Sequence, residues 1–330
     1  MVSLLKVPAP VKELFDKFPV EQYPAVKQLT PDTKKEIVNR NYSFSVSSDD
    51  KTNGLVTFKL GTYNVYHLDD NTVLATDPLC LIAELALSIK NNIKLPKLNN
   101  DKSDSNRNSL FLLSHHANSQ GFLPIYVEEE NHKKSNRLIK DSQSIDEILL
   151  SRVQSSSELM LITLVDNVVY DFWITSVLFE FSKEVQQEIF TFSTSSQQHY
   201  VNSWGIDTLL SQLLTRNAFD LRNPAITKQY QNDPYSILTK RLPKYGKAVD
   251  FEKERNGKEF AHAMENLNSI LVKRGTTFFN GDSKPGLLDV KIASYITLVQ
   301  KYGPGTVIYD VVQRYESLVK HADSVIQFCS

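Results

Sequence analysis

Residues 278–298, FFNGDSKPGLLDVKIASYITL, decide how the second half of the chain is read. Two aromatics precede Pro285, and Gly286 stands where a helix N-cap would. Asp289 follows at N3, where its carboxylate can accept from the N-cap amide. Glycine replaces the usual N-cap Ser or Thr, so half of a capping box survives, and the segment predicts a helix that begins after Gly286. Further helical faces flank it. Phe260, Ala263, Met264, Leu267 and Leu271 recur at helical spacing, as do Val307, Val311, Tyr315, Leu318 and Val319. Upstream, Leu159 to Phe181 is the most apolar stretch of the chain and long enough to span a bilayer. Asp166 and Asp171 sit in its middle, at roughly +2.5 to +3.5 kcal/mol each for insertion, so a buried core helix is the better reading. Buried acids need partners, and the two aspartates are expected to be paired rather than to line an interface. Residues 155–330 therefore read as all-helical.

The first half reads differently. Phe58 to Tyr66 predicts a strand, and Asp77-Pro78 opens a helix with Asp as cap and Pro at N1. Leu79, Ile82, Ala83, Ala86 and Ile89 form its apolar face. Leu110 to Ser114 is a second strand, and Gly121 to Val127 leads through Pro124 into a third. Arg137, Leu138, Ile139 and Lys140 make a short fourth. Asp141-Ser142 then starts a helix with Ile145, Ile148 and Leu149 on one side. The order is strand, helix, strand, strand, strand, helix. Only Ser114 to Leu123 separate the second strand from Pro124, too few residues for a further helix. The chain thus divides into an extension (1–52), a small α/β domain (53–154) and a helical domain (155–330), with a polar loop over Asn99 to Asn108.

A chain of 330 residues with a net charge of −1 and 41% hydrophobic residues has room for two packed domains, and it lacks the basic footprint of a nucleic-acid binder. Cys80 and Cys329 are isolated from each other and from any His cluster. That suits a reducing compartment and excludes a disulfide framework or zinc site. Pro8 and Pro10 interrupt the opening residues, so no amphipathic presequence is read there. Thr239 to Lys258 is rich in Lys and Arg. It reads as a solvated surface connection, with contact to anionic lipid headgroups as the functional counterpart.

Catalytic patterns are absent from the sequence. Adjacent His115 and His116 cannot both face one ligand in a strand and read as loop surface. GDSKPG lacks the spacing of a phosphate-binding loop, and no serine sits in a GxSxG elbow.

The Phe278–Leu298 helix start and the strand order with Pro124 resemble glutathione-transferase-like proteins: a thioredoxin-like domain, with Pro124 as its cis-proline, followed by a helical domain. That resemblance implies two sites. Asp141-Ser142 is similar to the motif that holds the tripeptide's γ-glutamyl end, although capping of the helix explains the same pair. The thiol-activating position is empty. From His67 to Asp77 there are Thr72 and Thr76 but no Ser, Tyr or Cys, Tyr63 and Tyr66 lie in the strand, and Asp77 would repel a thiolate.

A transferase-like fold without thiol chemistry, and without the second thioredoxin helix, resembles the metaxin family. Val7 to Lys12, Phe15 to Pro19, Lys59 to Val65, Ala75 to Leu81, Ser119 to Pro124, Tyr170 to Thr175 and Lys291 to Ile296 resemble its fungal branch, which serves the mitochondrial sorting and assembly machinery. The resemblance implies a non-enzymatic peripheral subunit on the cytosolic face of the mitochondrial outer membrane, with no cofactor or metal. Its implied partners are an Omp85-type outer-membrane barrel subunit, a second metaxin-like subunit and β-barrel precursor proteins carrying a β-signal. Arg137, Leu138, Ile139 and Lys140 are the candidate edge for a precursor strand, and Pro124, Asp77 and Asp289 are structural. The alternative is a glutathione-binding transferase-like enzyme using Asp141 and Ser142.

Overall fold

A computed structural model describes residues 30–46, 56–98, 108–130, 137–192, 199–232, 246–281 and 283–330. Residues 1–39 and 40–330 form separate compact units. The described part of the first is helix α1 (Pro31–Asn39), with proline at its first position and no buried residue. The Thr30 hydroxyl caps it, accepting from the Thr33 N–H at 3.2 Å. The rest of the segment read as an extension before residue 30 lies outside the described residues.

From Arg40 the chain lays down β1 (Asn41–Ser43), β2 (Ser45–Val46), β3 (Val56–Thr62), β4 (Val65–His67), β5 (Val73–Ala75) and α2 (Pro78–Asn91). It continues through β6 (Ile93–Lys94), β7 (Ser109–Leu112), β8 (Ile125–Glu130), β9 (Arg137–Lys140) and α3 (Ser142–Leu150). Five strands form one sheet in the order β1-β7-β3-β8-β9. β3 runs parallel to β7 and antiparallel to β8, and β9 pairs antiparallel with β8, Ile139 opposite Val127 and Leu138 opposite Glu128. Between β7 and β8 there is only a 3₁₀ turn (His115–Ala117), and the Leu123–Pro124 peptide is cis. This is the reduced thioredoxin-like arrangement expected from the strand order.

The helical part comprises α4 (Ser156–Leu164), a π-turn (Val165–Val169), α5 (Tyr170–Phe179), α6 (Lys183–Phe190), α7 (His199–Leu213), α8 (Phe219–Arg222) and α9 (Pro224–Asn232). After these come α10 (Gly246–Arg274), α11 (Leu287–Tyr302), α12 (Val307–Gln313) and α13 (Glu316–Cys329). The capping expected at Asp289 is present: its carboxylate accepts the Gly286 N–H at 2.8 Å and the Phe279 N–H at 2.7 Å, and it faces His321 Nε2 at 2.8 Å. α11 packs on α2 and α13, joining sheet and helices through one continuous core. Ser156–Phe179 is, among the described residues, the one helix long and apolar enough to cross a membrane, and 72% of its most apolar window is buried within the protein.

Several expectations need correction. The first strand ends at Thr62; Tyr63-Asn64 breaks it, and β4 pairs with β5 instead of continuing in the main sheet. Asn41–Ser43, inside the segment read as an extension, adds an edge strand to β7. On α2 the deepest residues are Cys80, Leu81, Glu84, Leu85 and Ser88, while Leu79, Ala86 and Ile89 are only half-buried. The helix is covered on both sides, by the sheet and by α11, so a single face does not describe it. Val307 to Val319 is not one face either: α12 ends at Gln313, Tyr315 is non-helical, and Val307 is exposed. Thr239 to Tyr245, and all of the polar loop except Asn108, lie outside the described residues. Gly246 to Lys258 is the first half of α10, not a connection. His115 is buried against His116 rather than lying on the surface.

Candidate functional site: the cleft beside the cis-proline

Thr76 and Asp77 join β5 to α2, and Asp77 serves as the α2 N-cap, accepting from the Cys80 N–H at 3.3 Å. Its carboxylate is also gripped from the other side of the molecule. Arg216 Nη2 donates to Oδ1 at 2.8 Å and Nη1 to Oδ2 at 3.1 Å, a two-point pair with both side chains fully buried. The same guanidinium donates through Nε to the Tyr170 hydroxyl at 3.0 Å and through Nη1 to the Leu123 carbonyl at 3.4 Å. Tyr63 completes the arrangement, its hydroxyl oxygen accepting the Leu123 N–H at 2.8 Å. Both backbone polar groups of the residue before the cis-proline are therefore bonded within the protein.

Arg216 reaches this position because the chain turns sharply after α7. Asn217 and Ala218 both adopt left-handed backbone, with φ of 54°, a conformation that costs an ordinary residue about 1–2 kcal/mol. The Asn217 side chain donates to the Asp166 carbonyl at 2.6 Å and fixes the turn. The buried ion pair and this contact offset the strain.

The Tyr63 hydroxyl and the Cys80 thiol beside Asp77 are poor nucleophiles. Burial pushes the Tyr63 hydroxyl well above its ordinary value. Burial, reinforced by the neighbouring Asp77, does the same to the Cys80 thiol. Neither is ionised near neutrality. Among the described residues no group of three or more His, Cys, Asp or Glu side chains is placed to hold a metal ion.

Beside Pro124 a cleft of about 460 Å³ opens between Gln120, Phe122, Ser142, Asp146, Asp166 and Arg216. Asp141 stands at the start of α3, one oxygen capping the Ser144 N–H at 2.8 Å and the other accepting from Gln120 Nε2 at 2.8 Å. Ser142, the first residue of α3, lines the cleft. Buried Lys291 reaches it from α11 and pairs with Asp146 at 2.7 Å and Asp166 at 2.6 Å. Asp171 turns away and is held by Arg222 at 2.7 and 2.9 Å and by Asn223 at 2.8 Å. Burial raises the pKa of both aspartates, with Lys291 and Arg222 pulling the other way. Each acid has a cationic partner, as buried charges require.

The four residues of β9 lie elsewhere, at the end of the sheet. Leu138 is 49% and Ile139 60% exposed, on opposite faces of the strand, and among the described residues no strand pairs with its outer edge. Of the residues singled out from the sequence, Pro124 and Ser142 line this cleft, Asp141 meets its wall through Gln120, and Asp77 is buried behind Arg216. Sequence reasoning missed Arg216, Lys291 and Tyr170. The one available signal was that a buried Asp77 demands a cation, and nothing in the surrounding residues says which arginine or lysine supplies it.

The family model described as SAM35, subunit of the SAM complex, matches residues 5–128. The sorting assembly machinery 35 kDa subunit of Saccharomyces cerevisiae is 32% identical over 315 residues, 91% of this chain and 90% of its own length. Among solved structures, glutathione S-transferase III in its apo form aligns with 82% of this chain and 94% of its own, at 12% identity and a TM-score of 0.33. By the extent and identity of the match to the yeast subunit, the chain belongs to the family of the 35 kDa subunit of the sorting assembly machinery.

Proposed function

We propose that the chain is a non-enzymatic, peripheral subunit of the sorting and assembly machinery on the cytosolic face of the mitochondrial outer membrane. It receives β-barrel precursors there and promotes their insertion together with an Omp85-type barrel subunit and a second metaxin-like subunit. The observation that supports the non-enzymatic part is the Arg216–Asp77 pair, which occupies the turn into α2, where the resemblance implies a thiol-activating group, while Arg216 and Tyr63 bond the Leu123 carbonyl and N–H.

The reception of precursors is assigned to β9. A precursor strand with unpaired amides can extend a sheet at an open edge, with main-chain hydrogen bonds supplying affinity. Of the two edges of the five-stranded sheet, β1 is short and largely buried, whereas β9 exposes Leu138 and Ile139. Arg137 and Lys140 bracket these two residues with charge, which discourages pairing between copies of the chain. The test is a photoreactive residue placed at Ile139, followed by import of a radiolabelled β-barrel precursor into mitochondria. The reading predicts an adduct that disappears when the last strand of the precursor is removed. Adducts that persist without that strand, or none at all while assembly proceeds, would refute the role of this edge.

A further inference from the structure

Two apolar grooves meet where α2, α3 and the β8–β9 side of the sheet come together. The smaller, of about 100 Å³, is walled by Leu60, Leu87, Tyr126, Ile148 and Leu149. The larger, of about 420 Å³, continues past Ile89, Val153, Pro285, Leu287 and Val290. Ala86, Lys90, Leu149 and Arg152 line both, so the two are arms of one trough with a pair of cations at their junction. Lys140 borders one arm and Lys284 the other, against Glu128 and Glu158. Among the described residues Lys90, Lys140 and Arg152 enter no ion pair, while Lys284 donates to the Ile89 carbonyl at 3.2 Å. Glu128 is engaged by the Tyr126 hydroxyl, which leaves the cations largely unopposed.

Lys90 and Arg152 stand at the C-terminal ends of α2 and α3, where a positive charge is favourable in itself. That accounts for each cation singly. It does not account for their convergence over an uncovered apolar floor, whose lining, apart from the rim charges, Tyr126 and Asn280, is entirely apolar or glycine. One anionic point with apolar matter on either side is the chemistry that matches the trough.

We propose that this trough binds an anionic phospholipid, with its phosphate at Lys90 and Arg152 and its acyl carbons along the two arms. A peptide is the poorer occupant, because the floor offers its backbone almost no hydrogen-bond partners. The trough shares Ala83, Ile145 and Leu149 with the wall of the cis-proline cleft and Lys140 with β9, but Lys90 and Arg152 belong to neither, and the proposal stands whether or not that edge receives precursors.

The test is sedimentation of the full chain with vesicles of phosphatidylcholine, with and without one-third phosphatidylserine, in parallel with a soluble acidic amphipathic peptide as competitor. Two variants separate headgroup from chain: Lys90→Glu/Arg152→Glu reverses the cations, and Ala86→Trp fills the trough without changing charge. Circular dichroism and melting temperature confirm that each remains folded; if Ala86→Trp does not fold, Ala86→Leu takes its place. We expect binding only to the phosphatidylserine vesicles, with a loss of at least about thirtyfold in the charge variant, since each basic residue near an anionic surface is worth roughly a factor of five and the variant adds repulsion to the loss of both. Ala86→Trp should lose binding as well. Binding that survives filling of the trough would reduce the interaction to surface charge and overturn the proposal. So would equal binding to neutral vesicles, no binding to either, or displacement by the acidic peptide, which would assign the trough to a protein partner.

Discussion

Arg216 is the residue on which the cleft depends. Taking a guanidinium and a carboxylate out of water costs several kcal/mol per ion, and their attraction repays this only when the geometry is good and the remaining donors are used. Here the two-point contact with Asp77 and the bonds to Tyr170 and Leu123 meet that condition. Removing one partner leaves the other charge buried alone. Arg216→Met is therefore expected to destabilise the fold by about 3–5 kcal/mol, measured by urea denaturation. Asp77→Asn combined with Arg216→Met should recover most of that loss, whereas simple addition of the two single losses would show that the residues are not coupled. Legibility at this scale was uneven. Asp77 and Asp289 announced themselves because a cap is a local matter of two or three neighbouring residues. Arg216 lies 139 residues from Asp77 in the chain, and no local rule links them.

At the scale of elements, α2 carries a feature that no apolar count reveals. Glu84 lies fully buried on it, with one oxygen accepting the Ala75 N–H of β5 at 2.8 Å and the other without a hydrogen-bond partner among the described residues. Burial pushes its pKa from 4.5 up to about 8, against the pull of the Ala75 bond. The folded protein thus prefers the protonated acid. Below the unfolded value of 4.5 both states are protonated and there is no penalty; as pH rises from there toward 8 the unfolded chain gives up its proton first, and stability falls. Glu84→Gln, which mimics the protonated form, should be neutral at pH 4 and more stable than the parent by up to about 3 kcal/mol at pH 7. Melting temperatures across pH check this, and a constant difference would contradict it. The reading of elements succeeded where the pattern was long or capped, as in α11 and the buried face of α10. It failed at β1, whose three residues are too few to establish a period, and at the break between α12 and α13, where nothing in Gln313-Arg314-Tyr315 forbids a helix.

At the scale of the whole molecule, the succession β3, α2, β7, β8, β9, α3 was legible because each of these follows from local periodicity or capping, and the short connection to Pro124 left no room for a further helix. The Arg216–Asp77 pair beside the cleft was not, since it needs the turn at Asn217-Ala218 to carry Arg216 from the helical part to the first turn of α2. The most direct measurement is purification of the tagged full chain from detergent-solubilised mitochondria, with the same sample passed over immobilised glutathione. The account predicts co-purification of an Omp85-type barrel protein and a second metaxin-like chain, and no retention by glutathione. Recovery of the chain alone, retained by glutathione, would contradict it.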